Sequence, residues 1–99
     1  MASYIALLNF TDQGIRNIKD TTQRAEAAQK LAQQCGVTIK SVQWTLGTYD
    51  VVLQLEAPDD QSVTAFELAV GSLGNVRSQT LRAFSRDEVN AILAKLPKA

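Results

Sequence analysis

Apolar and polar side chains alternate along this chain with two periods, and the switches between them mark out its elements. Ser3 to Phe10 (SYIALLNF) is apolar in both phases, Tyr4, Ala6, Leu8 and Phe10 against Ile5 and Leu7, the pattern of a strand covered on both faces. Thr11 to Thr22 mixes turn formers with Ile15 and Ile18 at helical spacing, which predicts a loop holding a short helical turn. Ala25, Ala28, Leu31, Ala32 and Cys35 then recur every three or four residues. This narrow apolar stripe predicts a sheet-packing helix capped by Thr21 or Thr22 and ended by Gly36.

Val37 to Leu46 reads as a strand whose inward phase changes, Val37 and Ile39 being odd and Val42, Trp44 and Leu46 even, so a bulge is expected near Lys40 or Ser41. Gly47-Thr48-Tyr49-Asp50 makes a tight connection into Tyr49 to Glu56, where Val51, Leu53 and Leu55 share a face. Asp59 or Asp60 then caps a helix carrying Val63, Phe66, Val70 and Leu73, which Gly74 stops. Val76 to Phe84 is the last strand. Ser85 and Glu88 form a capping box for a terminal helix with Val89, Ile92, Leu93 and Leu96, and Pro97 ends it.

The order β-α-β-β-α-β plus one helix predicts a single α+β domain over residues 1–99 with the ferredoxin-like, split βαβ arrangement: a four-stranded antiparallel sheet with both main helices on one face. The other face then lies open. Strand one is apolar on that side too, and strand three sets Val52 beside Gln54 and Glu56, a surface too apolar for free solvent. A second copy pairing its sheet with this one covers both faces economically, so a homo-oligomer, a dimer or larger, is expected; the alternative is a monomer covered by its own C-terminal helix.

Composition narrows the partners. An apolar fraction of 45% and a charged fraction of 20% are those of a globular domain. Ten basic and ten acidic residues cancel, removing the footprint of a protein that neutralises phosphates, and no nucleic-acid partner is expected. Met1 to Phe10 lacks a basic leader, a cleavage site and the length to cross a bilayer, so no membrane partner and a cytoplasmic setting are expected. Cys35 has no second cysteine to pair with and reads as a small packed hydrophobe.

The chain contains no histidine, the usual general base and commonest metal ligand, and shows no phosphate loop, dinucleotide fingerprint or nucleophile elbow. Neither metal nor cofactor is expected. The first candidate site is Gly47, Tyr49 and Asp50, where glycine permits a positive φ, aspartate accepts backbone N–H bonds and tyrosine offers a phenol; a turn needs such residues even without a ligand. A second set comprises Asn9, Trp44, Gln54, Glu56, Thr80 and Arg82, strand positions expected to converge between paired sheets, Arg82 on a carboxylate or enolate and Trp44 as an apolar wall. The plainer reading pairs Arg82 with Glu56 across neighbouring strands. The third is the Thr11 to Lys19 connection, with Asp12, Gly14, Arg16 and Lys19, as a lid.

LLNFTDQGIRNIKD, WTLGTYDVVLQLEAPDD and GSLGNVRSQTLRAF together resemble the GYD domain family, whose signature stands here as Gly47-Thr48-Tyr49-Asp50. The resemblance covers essentially the whole chain. It implies a relation to the dimeric α/β barrel group, whose members pair sheets face to face and include small monooxygenases, isomerases and binding proteins. Two functions are therefore expected: a small-molecule-binding or cofactor-independent enzyme domain with its ligand near Asn9, Trp44, Gly47, Tyr49, Asp50 and Arg82, or a non-catalytic assembly or regulatory module.

Overall fold

The computed structural model describes residues 1–98. The order is β1 (Ala2–Phe10), α1 (Asp12–Arg16), a 3-10 turn (Ile18–Asp20), α2 (Thr21–Gln34), β2 (Thr38–Trp44), β3 (Val51–Ala57), α3 (Asp60–Ser72), β4 (Val76–Ala83) and α4 (Arg86–Leu93). The strands pair antiparallel in the order β2-β3-β1-β4, with α2 and α3 on one face. This is the ferredoxin-like α+β arrangement.

Register assigns every strand side chain to a face. Ala6 lies opposite Leu53 and Thr80, and Leu8 opposite Val51 and Ser78, so the even residues of β1 and β4 and the odd ones of β3 face the helices. There Tyr4, Ala6, Leu8, Leu53, Leu55 and Ala57 join Ala32 of α2 and Val63 and Phe66 of α3 in the buried core. The expected bulge is present, the β2–β3 register shifting between Ile39 and Ser41. Without that extra residue the helix-facing Val42 would fall on the opposite side from Ile39.

Local signals hold at two of three helix starts. Asp59 accepts the Ser62 N–H (2.8 Å) to cap α3, and Ser85 and Glu88 close both bonds of the capping box on α4. Neither threonine caps α2: both lie inside it, Asp20 holds the N-cap, and Thr21 uses its hydroxyl elsewhere. β2 stops at Trp44, and Leu46 sits at the hairpin tip, fully exposed, rather than in the inward phase.

The Thr11 to Lys19 connection is not a free lid. Thr11 donates its hydroxyl to the Gly74 carbonyl (2.6 Å) and its N–H to the Asn75 carbonyl (3.1 Å), while the Gln13 amide donates to the Leu73 carbonyl (3.1 Å). At Gly14 a Cβ would stand 2.1 Å from the Asn75 oxygen, so only glycine lets α1 lie this close to the α3–β4 loop.

The domain measures 55 × 31 × 19 Å. Its least dimension is that of two packed layers, and among the described residues no helix packs on the second face of the sheet. Its radius of gyration of 15.3 Å exceeds the roughly 13 Å of a compact chain this long. α4 keeps Val89, Ile92, Leu93 and Leu96 exposed.

Candidate functional site

The GYD turn folds against the end of β1. Gly47 takes φ +102°, a conformation side chains with a Cβ rarely adopt, and lets the hairpin reverse. Asp50 then binds in three directions: its N–H donates to the Leu8 carbonyl, its carboxylate accepts the Phe10 N–H, and its carbonyl accepts the Thr45 N–H, each at 2.9 Å. These bonds carry the β1–β3 ladder past its last residue pair, Leu8 and Val51. Asp50 is thus a backbone acceptor, though its principal partner is a neighbouring strand rather than its own turn.

Tyr49 and Asn9 complete the cluster on the open face. The Tyr49 hydroxyl lies 3.2 Å from Gln79 Oε1 on β4, and its carbonyl accepts the Thr45 hydroxyl (2.6 Å). The Asn9 amide, turned so that its nitrogen faces oxygen acceptors, donates to the Thr48 carbonyl (2.9 Å). Gly47, Tyr49, Asp50 and Asn9 therefore belong to one assembly. Gln79, and Arg77 opposite Asn9, share that end of the sheet and were not singled out by sequence. Alternation from the apolar Val76 was the signal that placed both on the open side.

Trp44 and Arg82 are not brought there. Trp44 pairs with Val51 on the helix side, where its indole N–H donates to the Thr21 hydroxyl (3.0 Å). Arg82 pairs with Tyr4, also on the helix side and toward the other end of β1. Its guanidinium lies 5.6 Å from the Tyr4 ring and 4.6 Å from that of Phe84, donates to the carbonyls of Ser3 (3.2 Å) and Ala83, and meets Glu88 at 3.2 Å. Nor does it pair with Glu56, because β1 separates β4 from β3; Glu56 faces Lys40 at 3.6 Å instead. Thr80 likewise faces the helices and donates to Glu67, leaving Gln54 and Glu56 on the open side with Asn9.

These bonds set the local electrostatics. The Ser85 N–H, and then Arg82, hold the Glu88 carboxyl below its usual range, while the Ser62 N–H does the same for Asp59. Tyr4 shifts the other way, its phenol raised by the hydrogen bond to Asp60 and by burial. Each of these shifts serves a helix start or a packed contact.

The open face has its own pattern. Val52, Leu7, Ile5 and Leu81 run diagonally across β3, β1 and β4, flanked by Gln54, Glu56 and Gln79. Toward the C-terminal end, Ile5, Gln54, Glu56 and Phe84 line a groove of about 310 Å3. Phe84 is 52% exposed, and α4 exposes Val89, Ile92, Leu93 and Leu96 as well. Among the described residues no helix is long and apolar enough to cross a membrane.

An antiparallel ferredoxin-like sheet with a Gly-x-Tyr-Asp turn clamped onto its first strand defines the class. The chain belongs to the GYD domain family, whose pattern matches residues 4–93. It is similar to a protein of Thermus thermophilus named glutamine synthetase and cystathionine beta-lyase binding protein, 33% identical over 84 residues that span 84% of this chain and 88% of the relative.

Proposed function

We propose that this protein is a non-catalytic, homo-oligomeric protein-binding module. One observation carries the reading: the open sheet face presents an apolar diagonal, and α4 separately keeps Val89, Ile92, Leu93 and Leu96 exposed. Fully burying a Leu, Ile or Val is worth roughly 1.5–3 kcal/mol, so a surface of this kind favours association. Pairing two sheets about a two-fold axis sets each diagonal against the other, and each α4 then lies along the partner's edge. The residues expected to do chemistry have structural work instead, Asp50 clamping β1 and Arg82 holding the first turn of α4. That the Thermus relative is named for binding two enzymes supports an enzyme as the partner here. A cytoplasmic setting belongs to the same proposal.

A second reading, a small molecule held between the paired sheets, is favoured by the groove of about 310 Å3 on the open face. Of the strand positions singled out by sequence, Gln54 and Glu56 line that groove, whereas Asn9, Gly47, Tyr49 and Asp50 cluster away from it and Trp44 and Arg82 face the helices.

Sedimentation equilibrium at micromolar concentration tests the assembly: an oligomer is expected, and Leu81→Asp, which puts a charge on the diagonal, weakens it by at least about tenfold. A wild-type monomer refutes the pairing. Biolayer interferometry with purified glutamine synthetase and cystathionine beta-lyase tests the partner. Binding to neither enzyme removes the support taken from the relative.

A further inference from the structure

The helix side of the sheet holds a second space, unconnected with the protein-binding surface. Between α2, α3 and the sheet lies a cavity of about 120 Å3, partly open to solvent and walled by Leu8, Val42, Leu53 and Val70. Side-chain size contributes to it: the apolar lining from α2 is only Ala25 and Ala27, beside Thr21 and Arg24. An engineered apolar cavity of about 150 Å3 stays dry and takes up benzene, so a space of this size and lining suits a single small ring.

The rim is not apolar. Trp44 stands at it, fixed by its bond to Thr21, and Arg24 reaches it from α2. The Arg24 guanidinium lies 5.9 Å from the Phe10 ring and donates to the carbonyls of Asn17 (2.6 Å) and Gly14 (3.2 Å), which leaves N–H groups free. No carboxylate neutralises it: among the described residues the ion pairs are Lys40–Glu56 and Arg82–Glu88. An apolar cleft with one uncompensated, partly buried cation at its mouth is complementary to an apolar body carrying a single anionic head. We infer that this cavity binds a small monocarboxylate of one ring, its ring between the sheet and the two helices and its carboxylate on Arg24.

Trp44 is the chain's only tryptophan, so its fluorescence reports on the rim directly. The experiment titrates the full-length protein with cyclohexanecarboxylate and, separately, with the neutral cyclohexylmethanol. The expected result is a saturable change with the carboxylate and at least about tenfold weaker binding of the alcohol, the difference a charge-assisted hydrogen bond makes. Arg24→Gln brings the carboxylate down to the level of the alcohol, and Ala25→Leu, which fills the space, removes both responses. Because Arg24 also holds α1, the comparison of the two ligands on the unaltered protein decides independently of either variant. No saturable response, or equal affinity for the two ligands, overturns the inference. So does a Trp44 signal that follows protein concentration and ignores the carboxylate, which would give the cavity to a second copy of the chain.

Discussion

The two faces of this sheet are made by the same four strands, yet they answer to different demands. On the helix side the register brings Tyr4, Ala6, Leu8, Leu53 and Leu55 under α2 and α3, and most of them are almost fully buried. On the other side Val52, Leu7, Ile5 and Leu81 are as apolar in kind but remain half-buried or exposed. The polar residues differ as well. Those on the helix side are committed, Thr80 to Glu67, Trp44 to Thr21 and Arg82 to Glu88; on the open face Glu56 meets Lys40 and Gln79 meets Tyr49, while Gln54 and Arg77 have no side-chain partner among the described residues. One face is closed over by the chain's own helices, and the other is not.

The strongest way to break that comparison is to remove one leucine from each side. Leu55 is among the most deeply buried side chains, and Leu55→Ala is expected to cost about 2–5 kcal/mol. Leu81→Ala, on a residue 42% exposed, is expected to stay within about 0.5 kcal/mol in dilute protein. Urea melts of the two variants check both values; equal losses would mean that the faces are not energetically distinct.

A smaller effect sharpens the reading of the turn. Asp50→Ala leaves the Phe10 N–H without its partner and is expected to cost about 1–3 kcal/mol, whereas Tyr49→Phe removes one exposed contact and costs under about 1 kcal/mol. Thermal unfolding of both variants separates a structural signature from a ligand-contacting one, because only the former requires the aspartate to outweigh the tyrosine.

The smallest effect lies in alkaline solution. Tyr4 has its phenol raised above 10.0 by Asp60 and by burial, so the folded state holds the proton more tightly than the unfolded chain does. Its contribution is complete below about pH 10 and is lost as pH rises through the higher folded value. The melting temperature is expected to fall across that window, and Tyr4→Phe to flatten the fall.

Much of the framework was legible because it depends on neighbours in sequence. The capping box at Ser85 and Glu88, the Asp59 cap, the Gly47 reversal and the bulge beside Lys40 each follow from a few adjacent residues. The candidate site was legible only in part. Asn9, Gly47, Tyr49 and Asp50 come together because one hairpin folds onto the end of the strand that precedes it. Trp44 shares a phase with the inward Val42, and Arg82 with Val76, so alternation alone placed both on the helix side; their polar character suggested the opposite. Arg24 escaped notice, and Gly14 was read as part of a lid rather than as a packing glycine, for another reason. The value of each depends on a segment distant in sequence, the β1–β3 floor for one and the Asn75 carbonyl for the other, and no local pattern reports such a meeting.

The bulge in β2 has a consequence for growth. β2 is one edge of the sheet, and a straight, flat edge offers unpaired N–H and C=O groups on which the next chain can build a strand, then another, without limit. Between Ile39 and Ser41 the extra residue breaks that repeat, twists the border and sets an exposed Lys40 there. Strand-by-strand addition at this border, which has no natural end, is thereby disfavoured.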